Sequence, residues 1–394
     1  MDIVFRDVNG LGKKHSRRPM HAAAADFFRA FCVFMVAWYH IWQQSWLRPH
    51  IGTFSIEPWV RAGYMFVDGM LMLSGFLLYL PYAAGEPKPL KAFYRRRGAR
   101  ILPSYFFCLL VMLVLARMEG TPWSELLPDL LAHLTFTHNL FQSTYTGTAL
   151  NVALWTLAVE VQFYAIFPLL AEAFRKRPYA VYIVMCAAGY CFRNYWTVPL
   201  ESTVLYVNRL PNMLEVYANG MLASHFYVML TRCGRKRLVR WAGTAAMAAG
   251  AAIMLYVVRQ QARISDYDLL RLGQLDRRWI FSAAAALFVA GGSLSWRGVR
   301  AALSNPLTRF LSGLSFNFYI WHQRIAVWLK ALRIPDYVSE SPNMAGESPW
   351  QLHYTLICFG AALAVAAAVT YALEKPCAKL ILKPGEARTW EKAS

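Results

Sequence analysis

The chain has 394 residues, of which 57% are hydrophobic and 16% are charged, and its formal net charge is +19. This composition excludes an ordinary soluble globular protein and indicates a polytopic membrane protein. The positive charge does not indicate nucleic-acid binding. The basic residues concentrate in short connections beside apolar segments, where membrane topology and anionic lipid account for most of them.

Ten apolar segments are candidates to cross a lipid bilayer, and several have weak edges. They lie at 27–47, 62–82, 101–117, 152–174, 179–196, 212–230, 241–258, 279–296, 310–332 and 352–373. We therefore expect an all-α transmembrane bundle of about ten helices, with nine to eleven as the range.

Connections that are rich in Lys and Arg alternate along the chain with connections that are poor in them. If the amino terminus is cytoplasmic, the rich connections are the cytoplasmic ones, which predicts that both termini are cytoplasmic. The connection 259–278 is the exception, because it is predicted to lie outside and yet is rich in arginine. An external acidic ligand and a miscounted span would each explain it. The predicted organisation is a basic cytoplasmic tail (1–21), a transmembrane domain (22–382) and a second cytoplasmic tail (383–394).

The first apolar segment carries Arg29 and His40, eleven residues apart. In a helix this spacing places both side chains on one face, roughly 16 Å apart along the axis. Each residue alone has an ordinary interpretation, as an arginine that reaches for cytoplasmic phosphates or a histidine bonded to a neighbouring helix. Together they indicate a functional face, because both groups are costly to keep in apolar surroundings.

Two further apolar segments contain carboxylates. Asp68 and Ser74 lie in the second segment, and Glu160 lies in the fourth. An ionised carboxylate inside a bilayer needs a cationic partner or a proton. Arg29 and His40 are the partners that the sequence offers to Glu160.

Four arginines, Arg95, Arg96, Arg97 and Arg100, fall within six positions that we expect to form a cytoplasmic loop. Planar guanidinium groups suit bidentate contact with phosphate. The same residues satisfy the positive-inside rule. The sequence therefore supports two interpretations of these arginines equally, a phosphate-binding site and a topology signal.

The order of these motifs resembles the integral membrane acyltransferases called acyltransferase family 3, which O-acylate glycans and small molecules, and the match covers nearly the whole chain. The resemblance rests on the following segments: the Arg29 and His40 pair, Val67-Asp68 with Leu73-Ser74-Gly75-Phe76, Arg97 with Arg100, Leu154-Trp155 with Glu160 and Phe163-Tyr164, Leu314-Ser315 with Tyr319-Ile320-Trp321-His322, and Glu374-Lys375-Pro376.

This resemblance implies acyl-coenzyme A as donor on the cytoplasmic side and catalysis centred on His40. The residues that it suggests for catalysis are His40, Arg29, Glu160 and Asp68, and those for the donor are Arg95, Arg97 and Arg100. The residues expected to contact the substrate are Trp155, Tyr164, His322 and Ser74. We expect no metal, because the seven cysteines show no metal-type spacing.

Two departures from the family pattern stand out. Gly69-Met70-Leu71 replaces a usual run of Leu and Phe, which alters the wall of the pocket rather than its chemistry. The chain also stops soon after the tenth apolar segment, so we expect a one-domain enzyme without the extracytoplasmic esterase-like domain that some relatives carry.

The predicted mechanism uses neutral His40 as the base that deprotonates an acceptor hydroxyl as it attacks the thioester. Glu160 or Asp68 would orient His40, and Arg29 would hold the donor or polarise the thioester. An acyl-histidine relay is the mechanistic alternative. The predicted reaction moves an acyl group, acetyl in the first instance, to a glycan or small-molecule hydroxyl in a bacterial inner membrane. An exporter of a glycan or lipid-linked sugar is the alternative function, since buried charges also mark transport pathways.

Overall fold

The computed structural model describes residues 22–197, 203–346 and 348–386, and the predicted tail 1–21 lies outside them, as do residues 387–394. Helices dominate the described residues. The first eight are α1 Ala23–Ser45, α2 Glu57–Arg61, α3 Phe66–Ala84, α4 Leu90–Met118, α5 Trp123–Leu134, α6 Gln142–Tyr145, α7 Trp155–Lys176 and α8 Pro178–Phe192. The rest are α9 Thr203–Val207, α10 Leu210–Thr231, α11 Lys236–Gln261, α12 Tyr267–Leu294, α13 Arg297–Leu303, α14 Pro306–Ala331, α15 Ser348–Val369 and α16 Lys375–Ile381. A two-stranded antiparallel hairpin, β1 His50–Ile51 with β2 Phe54–Ser55, follows α1.

The expectation of an all-α membrane bundle is confirmed in its coarse form. Each of the ten predicted apolar segments overlaps a long helix. Six helical stretches of the described chain are long and apolar enough to cross a membrane: Ala23–Ser45, Gly63–Ala84, Leu90–Met118, Val152–Lys176, Lys236–Gln261 and Pro349–Ile381. The other four predicted spans fall on α8, α10, α12 and α14. The count of about ten crossings and the cytoplasmic termini stay predictions.

Helix α1 lies at the centre of the bundle, in contact with α3, α12, α14 and α15. Its central position explains why it is apolar on most sides, with Phe28, Val36 and Ile41 fully buried. Helix α14 begins with a capping box, in which the Asn305 side chain accepts from the Thr308 backbone and the Thr308 hydroxyl accepts in return. This cap fixes the start of the helix that packs along α1.

Helices α3 and α10 pack with their backbones in contact. A Cβ atom on Gly75 or on Gly220 would overlap a backbone oxygen of the opposite helix, that of Tyr217 or Met72. Only glycine permits this approach, as in other close helix crossings within membranes. The two helices therefore form one tight wall of the bundle.

The bundle has two chemically distinct ends. One end holds the starts of α1 and α4 and the ends of α3 and α10, together with Arg29, Arg97, Arg100 and Arg232; we call it the basic end. The other end holds the last turns of α1, where His40 lies, together with the hairpin and the segment between α4 and α7. We call it the histidine end.

Two predicted loops are helical instead. The arginines at 95–100 lie in the first turns of α4, which begins at Leu90. The arginine-rich connection 259–278 also proves to be largely helix, because α11 continues to Gln261 and α12 begins at Tyr267. Both predictions failed for the same reason: the arginines ended the apolar windows although the helices continue through them.

Candidate functional site

A cavity of about 110 Å³ opens near the basic end of the bundle. Polar residues from five helices line it: Arg29 of α1, Ser74 of α3, Arg97 and Arg100 of α4, Glu160 and Tyr164 of α7, and Ser315 and Tyr319 of α14. Aliphatic side chains of α1 and α3 form much of the remaining wall. The sequence-predicted residues Arg29, Ser74, Arg97, Arg100, Glu160 and Tyr164 are thus brought together.

Glu160 is the acid at the centre of this cavity. Its carboxylate accepts hydrogen bonds from the Ser74 hydroxyl at 2.9 Å and from the Tyr164 hydroxyl. Arg29 lies within electrostatic range of Glu160 and donates to the Ser312 hydroxyl at 3.3 Å. The charge balance favours an anionic ligand, because three arginines face one carboxylate.

The arginines of α4 point to different sides of that helix. The Arg97 guanidinium lies 5.8 Å from the centre of the Tyr164 ring, and its Nε is buried without a hydrogen-bond partner among the described residues. Arg95 instead makes a bidentate ion pair with Glu386, at 2.6 and 2.9 Å. Two residues turn a helix by about 200°, so Arg95 cannot share a face with Arg97. The structure therefore separates Arg95 from the predicted donor site.

The approach to the cavity from the basic end is electropositive. A small adjoining cleft is lined by Lys88, Arg96 and Arg97. Burial, followed by the charges of Arg96 and Arg97, lowers the pKa of Lys88. On the other side of α4, the hydrogen bond from Arg95 holds the pKa of Glu386 below its usual range. Positive charge thus accumulates around the cleft and is neutralised away from it.

His40 does not line this cavity. Its ring lies against that of His322, with centroids 5.2 Å apart. The nitrogen Nδ1 of His40 lies 3.0 Å from Gln43 Oε1, and the Gln43 amide donates to the Tyr39 hydroxyl at 3.0 Å. With the Gln43 oxygen facing the ring, this bond places the proton of a neutral His40 on Nδ1 and leaves Nε2 as the basic nitrogen.

His322 adopts the same tautomer. Its Nδ1 donates to the Tyr319 carbonyl at 2.6 Å, and its Nε2 is buried without a hydrogen-bond partner in the part of the chain that the structure describes. Two imidazoles with basic Nε2 atoms therefore lie side by side at the histidine end. Tyr319 connects the two sites, since its side chain lines the basic cavity while its carbonyl holds His322.

The predicted contact between His40 and Glu160 or Asp68 is not formed, although all three residues are described. Glu160 is bonded to Ser74 and Tyr164 instead. Asp68, which is fully buried, accepts from Arg278 Nε at 3.1 Å. Gln43 takes the position beside His40 that was expected for an acid.

Trp155 also lies away from the cavity. It begins α7 at the histidine end, with its ring 6.3 Å from that of Tyr145. Gln43 was not predicted from the sequence, and Ser315 and Tyr319 were named only as part of the family motif, without a role of their own. Gln43 follows His40 by three residues, a helical spacing that brings side chains together, and this was the available signal.

A basic cavity beside a pair of histidines, buried in a helical membrane bundle, is suited to group transfer from an anionic donor. Comparison with known proteins identifies the family. The chain belongs to the acyltransferase family whose model, described as an acyltransferase domain, matches residues 23–371. This membership confirms the resemblance found in the sequence and the expectation of an integral membrane acyltransferase.

Three relatives illustrate the range of the family. O-acetyltransferase OatA of Staphylococcus aureus is 26% identical over 42% of this chain and 26% of its own length. Acyltransferase MdmB of Streptomyces mycarofaciens is 30% identical over 41% of each chain. Nodulation protein 10 of Rhizobium leguminosarum bv. viciae is 24% identical over 59% of this chain and 68% of its own. The chain thus spans less than half the length of the first two, and no solved structure matches it significantly.

Proposed function

We propose that this protein transfers an acyl group, acetyl in the first instance, from acyl-coenzyme A to a hydroxyl of a glycan or small molecule. The observation that carries the proposal is the cavity at the basic end, where Arg29, Arg97 and Arg100 surround Glu160. Guanidinium groups bind phosphates as planar donors, and coenzyme A presents phosphates at one end and its thioester at the other. The basic end would face the cytoplasm of a bacterial inner membrane, as the distribution of Lys and Arg predicts.

The thioester would reach the histidine pair from this cavity. His40 lies about 20 Å along α1 from the cytoplasmic edge of the predicted first span. The extended pantetheine arm of coenzyme A can cover this distance when the nucleotide of coenzyme A lies on Arg97 and Arg100. Tyr319 stands between the two sites, since it lines the cavity and binds His322. The acceptor would enter from the histidine end, where His40 is only half-buried.

His40 Nε2 would then take the proton of the acceptor hydroxyl as its oxygen attacks the thioester carbonyl. The carbon–sulfur bond breaks, the thiolate of coenzyme A leaves, and the imidazolium returns the proton to it. Gln43 keeps Nδ1 protonated throughout, so that Nε2 is the basic atom. Glu160 acts within the donor cavity, where it balances the arginines and positions Tyr164.

The direct test is donor binding by the purified protein in lipid nanodiscs. We expect acetyl-coenzyme A to bind more tightly than dephospho-coenzyme A, and acetyl-pantetheine to bind weakest, because each step removes phosphate. Acyl transfer to an added hydroxyl acceptor should follow. Equal affinity for all three donors would reject the arginine cavity as the phosphate site. Failure to bind any of them, with glycan transport into proteoliposomes, would establish the exporter instead.

The histidine pair allows a direct transfer or a relay through an acyl-imidazole, and turnover stopped rapidly with denaturant at neutral pH, where an acyl-imidazole survives longer than in acid, distinguishes them. With radiolabelled acetyl-coenzyme A and no acceptor, a relay leaves label on a histidine of the protein. Direct transfer leaves none.

A further inference from the structure

A long apolar groove, separate from the acyl-transfer site, runs along the outside of the bundle. It lies between α10 and α11, with α12 as its floor, and has a volume of about 730 Å³. Four of the α12 residues that line the floor are small, Ala283, Ala286, Ala290 and Gly291, and the large side chains of Phe226 and Leu238 stand on either side of them. These small residues leave a depression between α10 and α11.

The polar groups at the deep end of the groove are bonded to one another. The Tyr182 hydroxyl donates to Asn219 at 2.9 Å, Trp279 donates to Tyr182 at 3.1 Å, and the Asn219 amide donates to Ser282 at 2.8 Å. These side chains therefore present ring faces and methylene groups to the groove. The interior suits a hydrocarbon chain.

The mouth of the groove lies at the basic end and is strongly cationic. Arg235 lines the mouth, and Lys236 and Arg237 follow it as exposed residues in an open cleft with Trp241. The segment 231–240 contains no acidic residue. Trp241 packs edge-to-face against Trp296, at 5.5 Å between ring centres. Paired tryptophans beside basic residues are typical of the level at which lipid headgroups lie.

The length of the groove also suits one lipid chain. From Leu294 near the mouth to Trp279 at the deep end, α12 rises roughly 22 Å. One leaflet of the hydrocarbon core is about 15 Å thick. A chain that starts at the headgroup level would therefore be enclosed over its whole length.

We propose that this groove is a binding site for an anionic glycerophospholipid. One acyl chain lies in the groove, and the phosphate of the headgroup lies on Arg235, Lys236 and Arg237. The site is independent of the proposed acyl transfer, because the described residues that line the groove and those that line the donor cavity form two separate sets.

The test is lipid binding by the full-length protein in neutral detergent, followed by native mass spectrometry during titration with phosphatidylglycerol or phosphatidylcholine. We expect phosphatidylglycerol to bind roughly tenfold more tightly or better, since each basic residue at a membrane surface strengthens anionic-lipid binding about fivefold. Replacing Arg235, Lys236 and Arg237 by Gln should remove this preference. The same replacement of Arg175, Lys176 and Arg177, which removes equal charge elsewhere, should leave it intact.

A second pair of variants tests the hydrocarbon chain. Ala242→Phe places a ring in the groove and should abolish tight binding of both lipids, whereas Ala248→Phe, about 120° around α11 on another exposed face, should not. Equal binding of the two lipids to the unaltered protein would overturn the proposal. The proposal would also be overturned if both triple variants lost the preference for phosphatidylglycerol equally, if inorganic phosphate alone displaced the bound lipid, or if the protein clearly preferred an isoprenyl diphosphate.

Discussion

At the scale of single residues, the proposed chemistry depends on which nitrogen of His40 carries the proton. Gln43 fixes that choice, since its oxygen can only accept the Nδ1 proton. The Gln43 side chain is exposed and uncharged, so it adds no charge beside His40. The histidine is thus oriented without an ion pair.

Replacement of His40 by Ala should lower the rate of acyl transfer by about 10²–10⁴-fold, the usual contribution of a positioned general base. Donor affinity should change little, because His40 does not line the arginine cavity. Turnover and coenzyme A binding are measured on the same preparation. His50→Ala, in the exposed hairpin, is the control, and near-normal turnover by the His40 variant would remove this residue from the mechanism.

Gln43→Leu should lower kcat about tenfold to hundredfold, as the loss of an outer partner does for other functional histidines. The reason is that Nδ1 loses its acceptor and Nε2 is no longer selected as the base. Gln43→Glu keeps an acceptor beside Nδ1 and should restore much of the rate, with a pH profile shifted by the added charge. Equal activity of the Leu and Glu variants would show that Gln43 only fills space.

At the scale of secondary-structure elements, α4 distributes its arginines over two faces. One face supplies Arg97 and Arg100 to the cavity, and the opposite face binds the carboxyl-terminal segment through Arg95 and Glu386. The dense run of arginines in the sequence therefore combines a candidate ligand site with a structural contact.

This arrangement allows a matched comparison within one helix. Arg97→Ala should raise the donor KM by about tenfold or more and leave kcat nearly unchanged, because the substitution removes a guanidinium that binds phosphate equally well in the ground and transition states. Arg95→Ala removes the same charge two residues away and should leave the donor KM close to normal. Equal shifts in both variants would indicate a general electrostatic effect.

The sequence predicted the helices better than it predicted their ends. The ten apolar segments each matched a helix, but Arg95 to Arg100 and Arg271 to Arg278 were assigned to loops because charged residues end an apolar window. Side-chain partners were harder to predict. Whether Asp68 faces His40 or Arg278 depends on how α3 packs against α12, and residues 210 positions apart give no local signal of it.

At the scale of the whole molecule, the ion pair between Asp68 and Arg278 joins α3 to α12 inside the bundle. The Arg278 side chain is 0% exposed and the Asp68 side chain is 1% exposed. Breaking a buried pair by removing one partner leaves the other charge uncompensated, whereas replacing both can be neutral or stabilising.

Asp68→Asn should therefore destabilise the fold by about 3–5 kcal/mol, because Arg278 then loses its countercharge. Asp68→Leu combined with Arg278→Met should recover most of that stability. Thermal unfolding in a single detergent measures both. A double variant as unstable as Asp68→Asn would show that the uncompensated charge of Arg278 is not the cause, and would return Asp68 to consideration as a partner in catalysis.

The close approach at Gly75 and Gly220 has a mechanical consequence. Two helices whose backbones touch cannot rotate or slide past one another without a collision, so we expect α3 and α10 to move together. In the proposed reaction, the cavity would have to widen in order to admit and release a large donor at every turnover. We expect that movement at α14, which also lines the cavity, while α3 and α10 stay in place.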